Sequence, residues 1–541
     1  MILVVLASTI CASAIALAIG LVRSYEDVQS ERVEIGTRRR LEQAFFALPG
    51  AIDDHASALP LSDPTQAWLS RWRLLAEADQ RIDVAYFILD GDLFGLSFLG
   101  ALLARAQQGV RVRVLLDAVA TDMADTTHTL IGKNFLNALG SHPNIQVRIY
   151  RPLSKRVSSF VENLQLASLI ASEHDKMIVV DREWTLAGGR NIAEAYFTPP
   201  ERAGHHFLDT DVLIRSADVA RQMQAAFERL YDSAEPMTAI AMDSDRRAIV
   251  DRARARMDAW LRGRSIDFSD HSETQELEQR WQEQLEDRPE LRNALNSFEL
   301  SGSFSARARV VDSTARMEPE AGAITKAVLQ LVAATRREVV LINPYLVLEE
   351  NLVTVLADAA KRGVRITVLT NSPLSSDNVV SQALFLEQWP TLLARIPTMK
   401  LYVLGGKDTL HDKIMLFDDS LSLIGSYNLD PTAMLMSSEL MVGLWSKPLN
   451  ARLRHLLDRR LGGGPPRSYQ YRVKRSSDGS PALDEQGRPL VLFGPERHLS
   501  DAQMEKTRDY QERIRAVLET LDLEPFVRAA PNTPTADPNP P

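Results

Sequence analysis

Cysteine is all but missing from the 541 residues: Cys11 is the only one, and it lies inside an apolar N-terminal stretch. Intrachain disulfides and cysteine-based zinc sites are thereby excluded, and cysteine usage does not indicate a compartment. An excess of positive charge is missing too. Lysines and arginines number 62 against 71 aspartates and glutamates, a net charge of -9. The chain as a whole therefore has little attraction for phosphate backbones, and no nucleic-acid partner is expected. Charge of either sign is absent from Met1 to Val22, a stretch of Ile, Leu, Val and Ala with a few small polar residues. Such a run can span a bilayer of about 30 Å. A cleaved signal would begin with positive charge and have a shorter apolar core, so residues 1–24 read as a retained anchor or uncleaved signal. Arg23, Arg32 and Arg38-Arg39-Arg40 follow it, which favours a cytoplasmic side for the chain beyond it.

What is present is a repeat. His174, Lys176 and Asp181 form a His-x-Lys-x4-Asp pattern that recurs at His411, Lys413 and Asp418, and in both copies an Asn follows the His by 17 residues, at Asn191 and Asn428. The surroundings repeat as well. A strand over Ile82–Leu89 leads to a helix with Leu99, Leu102, Leu103 and Ala106 on one face; Gly109 ends it before a buried strand from Val110 to Leu116. In the second half Val339–Ile342, a helix with Leu352, Val355, Leu356, Ala359 and Ala360, Gly363 and Val364–Leu369 follow the same plan. The fold class is α/β: two lobes, each a mixed β-sheet flanked by helices. The lobes are expected at 50–236 and 305–461. Between them, 237–304 is charged and helix-favouring and reads as a solvated connector. Gly462-Gly463-Gly464-Pro465-Pro466 opens a C-terminal appendage over 462–541 with a hairpin, a last helix capped by Ser500, and a disordered proline-rich end.

Taken as strands, residues 174–181 and 411–418 would each place a His and a Lys on one face. That pairing suits a phosphodiester centre. Lysines neutralise the non-bridging oxygens, and Asn191, Ser426 and Asn428 can hold the phosphate. One histidine can attack phosphorus while the other protonates the leaving alcohol and deprotonates the incoming one. The scheme calls for no metal or cofactor, and lysine is not a usual zinc ligand. Each imidazole needs a carboxylate at its second nitrogen; the candidates are Asp211 for His174 and Glu439 for His411, at 37 and 28 residues downstream. Asp181 and Asp418 belong to the catalytic pattern, yet they end their strands and can equally brace the backbone. His205 and His206 read as loop residues.

These residues resemble the phospholipase D superfamily, whose hallmark is the doubled His-x-Lys-x4-Asp motif, and within it bacterial cardiolipin synthases. The likeness rests on the Tyr86 strand, the run ending at Asp117, Gly188-Gly189-Arg190-Asn191 to Phe197, Leu369-Thr370-Asn371-Ser372, and Gly425-Ser426-Tyr427-Asn428 to Pro431. The resemblance implies two phospholipase D-like lobes with one active site at their pseudo-twofold interface. It implies a phosphohistidine intermediate with His174 as nucleophile and His411 as acid and base, and a phosphatidyltransferase that forms cardiolipin from phosphatidylglycerol, with phosphatidylglycerol or phosphatidylethanolamine as the second lipid, at a bacterial inner membrane, on its cytoplasmic or its periplasmic side. Hydrolysis of phospholipid head groups is the enzymatic alternative; a nuclease and a non-catalytic lipid-binding scaffold are the others. Asp175, Asp412 and Gly189 depart from the usual pattern, and 157–170 is an enlarged segment able to contact a bilayer. The sequence sets no oligomeric state.

Overall fold

The structure is a computed structural model that describes residues 40–118, 133–152, 154–158, 171–200, 202, 204–237, 244–265, 275–300, 304–315, 322–462 and 468–520. The uncharged N-terminal run, most of 157–170 and the proline-rich end lie outside the described residues. Among the described residues no helix is long and apolar enough to cross a membrane.

The first lobe contributes β1 (Asp53–Leu61), β2 (Arg81–Tyr86), β3 (Arg111–Asp117), β4 (Ile145–Tyr150), β5 (Met177–Val180), β6 (Trp184–Gly188), β7 (Phe207–Leu208), β8 (Asp211–Arg215) and β9 (Glu235–Pro236). The second contributes β10 (Phe304–Ser313), β11 (Glu338–Ile342), β12 (Arg365–Asn371), β13 (Met399–Leu404), β14 (Thr409–Leu410), β15 (Ile414–Phe417), β16 (Leu421–Gly425), β17 (Glu439–Trp445), β18 (Ser468–Val473) and β19 (Val491–Phe493). Pairing runs β9-β4-β3-β2-β5-β6-β8-β1 in the first lobe and β10-β17-β16-β15-β11-β12-β13-β18-β19 in the second, and the antiparallel β1–β10 pair joins them. In each lobe three strands are parallel, β2-β3-β4 and β11-β12-β13. Their crossover helices, Leu93–Gln107 and Glu350–Lys361, carry the apolar stripes expected from the sequence. Gly109 and Gly363 follow those helices at φ 95° and 84°. A β-carbon would meet nothing there, so the left-handed backbone is what calls for glycine.

Apolar strand faces from the two lobes meet in one core, with Met177, Val179, Val212 and Ile214 from the first and Ile414, Leu416, Ile424 and Val442 from the second. Buried strands on both faces explain why β5 and β15 read as unbroken apolar runs. The lobes are therefore fused through their sheets, and what lies at the seam is positioned by packed backbone.

Three boundaries differ from the sequence reading. Helices Ser244–Leu261 and Gln275–Glu286 are no solvated connector. Val250, Ala253, Met257, Trp260, Trp281 and Leu285 are buried in the first lobe's outer core. The contact is close enough that a β-carbon on Gly100 would come within 2.3 Å of the Val250 carbonyl oxygen. Charge on the other faces masked this stripe. Helix Leu41–Ala47, upstream of the first lobe in sequence, packs on the second: Phe45 stacks on Trp445 at 5.9 Å. The appendage is likewise part of the second lobe, since β18 extends its sheet alongside β13, and helix Asp501–Thr520 packs on Val379–Arg395.

Candidate active site

The motif histidines sit just before their strands. β5 starts at Met177 and β15 at Ile414, so the expected strand face bearing both His and Lys does not form. The inter-lobe seam positions them instead. Thr409 and Leu410 pair in parallel with Phe207 and Leu208, delivering His411, and Glu173 bridges Ser438 in the same sense next to His174. Each lysine folds back on its own motif: Lys176 Nζ donates to the His174 carbonyl and Lys413 Nζ to that of His411, both at 2.7 Å.

The carboxylates at the rings cross between lobes. His174 Nδ1 lies 2.9 Å from Glu439 Oε1, and His411 Nδ1 lies 2.6 Å from Asp209 Oδ2. Sequence spacing had paired Glu439 with His411 and Asp211 with His174; the structure corrects both. Strand register shows why Asp209 is the match. Gly188 pairs with Asp211 and Gly425 with Met441, so the residue two before each partner, Asp209 or Glu439, occupies the same place. Asp211 is instead buried between Arg71 Nη1 and Arg190 Nη1 at 2.9 and 3.0 Å. The lobes also compensate for different acid lengths. Ser426 Oγ donates to Glu439 Oε2, whereas a β-carbon on Gly189, the matching residue, would stand 2.5 Å from both Asp209 carboxylate oxygens. Only glycine leaves room there, which accounts for that departure from the pattern.

Other expected residues are placed elsewhere. Asp181 takes backbone N–H bonds from Asp79, Gln80 and Arg81, and Asp418 from Arg336, Arg337 and Glu338. Both lie in the left-handed region, at φ 51° and 50°, and their oxygens are committed to the start of a neighbouring strand. They brace the fold and do not reach the rings. Asp418→Ala is expected to lower the unfolding free energy by about 1–3 kcal/mol, read by denaturant titration, while the folded fraction keeps its turnover. Ser426 is likewise engaged by Glu439, and Leu440 N donates to its Oγ at 3.0 Å. Asn191 spends its amide on Tyr196 Oη at 3.1 Å and its oxygen on Ile88 N at 3.1 Å. Asn428 Oδ1, an acceptor that cannot serve a phosphate anion, is buried without a hydrogen-bond partner, so any phosphate contact from this side chain would come from its Nδ2 amide.

Burial, then Lys176 and Lys413, push the His174 imidazole well below its ordinary proton affinity; burial, Lys413, Lys176 and His174 push His411 the same way. Charges of both motifs act on both rings, so the two half-sites lie within electrostatic reach of one another. Burial raises Glu439 to about 8 and Asp209 to about 7, against the pull of the lysines. Each imidazole thus meets a carboxylate whose proton affinity is shifted the opposite way. With Nδ1 held, Nε2 is the nitrogen left to react. Lys176 is lowered to about 8 by burial. A phosphodiester anion between the lysines would favour their charged forms. Among the described residues no group of three or more His, Cys, Asp or Glu side chains is arranged to hold a metal.

Residues 72–231 and 328–461 match the family described as cardiolipin synthase, PLD-like domain. The chain belongs to that family. Both matched segments carry one His-x-Lys-x4-Asp copy, so membership and the paired half-sites coincide. Cardiolipin synthase C of Escherichia coli (strain K12) is 28% identical over 444 residues, 78% of this chain and 87% of its own length. Cardiolipin synthase 1 of Bacillus cereus is 21% identical over 408 residues, 74% of this chain and 65% of its own. A crystal structure of phosphatidylserine synthase from Haemophilus influenzae Rd KW20 shares the fold, with a TM-score of 0.57 at 14% identity over 91% of this chain and all of the other.

Proposed function

We propose that this phospholipase D-like protein is a phosphatidyltransferase that makes cardiolipin, with phosphatidylglycerol and either a second phosphatidylglycerol or phosphatidylethanolamine as its two lipids. The observation that carries the reading is the crossed pair of His–carboxylate contacts at one seam. It leaves the Nε2 atom of each ring free of its carboxylate, with both motif lysines acting on both rings, an arrangement that suits double displacement at phosphorus. The names of the relatives support lipid substrates.

In the first step His174 Nε2 attacks phosphorus, the bond from phosphorus to the head-group oxygen breaks, and His411 Nε2 gives its proton to the departing alcohol. In the second, the incoming hydroxyl oxygen attacks phosphorus, its proton passes to His411, and the phosphorus–nitrogen bond breaks to free His174. His174 is assigned as nucleophile because its side chain is the more open, 16% exposed against 7% for His411. His411 is boxed edge-on by Tyr196 and Phe207 at 5.3 and 5.4 Å, a setting that suits proton exchange with an alcohol held in place. Lys176 and Lys413 neutralise the phosphorane charge, and Asn428 is the remaining amide for the phosphate.

The test is to incubate the full chain with phosphatidylglycerol vesicles, with and without phosphatidylethanolamine, and to analyse the lipids formed. Cardiolipin is the expected product. Phosphatidic acid alone would replace transfer by hydrolysis, and vesicle binding without turnover would make the protein a scaffold.

A further inference from the structure

The surroundings of the site differ in chemistry between the two lobes. At His174 the wall is apolar: Phe87 stands edge-on to the imidazole at 5.1 Å and beneath the Lys176 ammonium at 5.4 Å, with Ile88 next in sequence. Leu89 bridges Ile192 as Leu346 bridges Leu429, so Tyr345 occupies on the second lobe the place of Ile88 on the first. There the surroundings are polar. Tyr345 Oη donates to Asp377 Oδ1 at 2.8 Å, and Asp377 is exposed, with no other hydrogen bond among the described residues.

The segment bearing Asp377 is fastened to the one that delivers His411. Thr409 Oγ1 donates to the Ser375 carbonyl at 2.6 Å, and Asn378 caps the helix Val379–Arg395 by accepting from Ser381 N at 3.0 Å. The Asp377 carboxylate also raises the proton affinities of His411 and Lys413, which puts it within electrostatic reach of both. An exposed carboxylate within reach of His411 and Lys413 opposes binding of a phosphodiester anion unless the same ligand also brings hydrogen-bond donors.

We infer that Asp377 and Tyr345 form an acceptor subsite that selects alcohols carrying a second hydrogen-bond donor, either another hydroxyl, as in a glycerol head group, or an ammonium, as in ethanolamine. The inference rests on the transferase reading. The donor of the acceptor binds Asp377 Oδ2, Tyr345 holds the other oxygen, and the reacting hydroxyl is brought beside His411 Nε2. That hydroxyl then attacks phosphorus, loses its proton to His411 and releases His174.

The experiment is competition on the full chain with phosphatidylglycerol vesicles and added glycerol, ethanolamine or n-butanol, the last lacking a second donor. Asp377→Asn is expected to lower the ratio of glycerol transfer to butanol transfer roughly 10- to 100-fold, the usual cost of an unpaired polar contact in a selective site. A larger fall for ethanolamine identifies the ammonium as the preferred group, a larger fall for glycerol the hydroxyl. Tyr345→Phe, which keeps the carboxylate and loses only its anchor, is expected to lower the same ratios less, and it keeps the test available if Asp377→Asn fails to fold. Ratios unchanged in both folded variants would overturn the subsite. Absence of any transfer product from the unmodified protein would overturn the transferase reading instead.

Discussion

His174→Ala is expected to cut turnover of phosphatidylglycerol at least about 10⁴-fold, equivalent to about 5.5 kcal/mol of lost transition-state stabilisation, with no covalent phosphatidyl adduct on the protein. His411→Ala is expected to cut turnover comparably but to fail differently. Without an acid at the departing oxygen, a glycerol head group leaves as an alkoxide and the first step stalls. A substrate whose leaving group is a nitrophenol needs no proton to depart. With it, His411→Ala should release one equivalent of nitrophenolate in a burst and stop at an adduct, detectable by intact mass, because the second step lacks its base. His174→Ala should show no burst with either substrate. Bursts from His174→Ala and none from His411→Ala would reverse the two roles; adducts from neither would remove the covalent mechanism.

The chemistry was legible because it depends on residue types at fixed spacing. His-x-Lys-x4-Asp occurs twice with an Asn at the same distance, and two parallel units end their helices at Gly109 and Gly363, which adopt positive φ. The α/β class followed from that, whereas the site at the seam of two lobes was implied by the resemblance to the phospholipase D superfamily. What spacing cannot show is which strand from one lobe lies against which from the other. Asp211 and Glu439 each begin a strand, and aligning on strand starts made them equivalents; pairing with Gly188 and Gly425 makes Asp209 the equivalent. Asp209 had a signal in the sequence: Gly189 stands where the second lobe has Ser426, and the loss of a side chain there leaves room for the carboxylate of a shorter acid held close to the backbone. The motif lysines carried a similar ambiguity. An apolar run beginning at Met177 or Ile414 invites extending the strand back over the motif, but the two preceding positions turn so that Lys Nζ reaches the His carbonyl.

The connector shows the opposite failure. Composition alone made 237–304 a solvated insertion, yet Val250, Ala253, Met257, Trp260 and Leu261 recur at intervals of three and four and are buried. Periodicity outweighs charge count in a helix that is amphipathic. The consequence reaches the site, because Arg288 donates to Thr198 Oγ1 at 2.7 Å and Gln284 Nε2 to Glu194 at 2.9 Å. Those acceptors stand on the turn that also carries Tyr196, one wall of His411.

Crossed pairing has a consequence that a same-lobe arrangement does not. If each carboxylate positions the ring of the opposite lobe, removing its charge should reproduce the defect of that ring. Glu439→Gln and Asp209→Asn are each expected to lower turnover about 10²- to 10⁴-fold, since an amide both weakens the hold on the imidazole and offers it the wrong partner for its tautomer. The nitrophenyl substrate separates them. Glu439→Gln, although in the second motif's lobe, should behave as His174→Ala does and lose most of the burst, because Nδ1 of the nucleophile is no longer held for attack by Nε2. Asp209→Asn, in the first lobe, should retain the burst and accumulate adduct, because the impaired group is the one that exchanges protons. A burst retained by Glu439→Gln and lost by Asp209→Asn would mean that each acid serves the ring of its own lobe during reaction, against the contacts of 2.9 and 2.6 Å. Equal loss in both would assign the carboxylates to a shared electrostatic role, since both also act on Lys413.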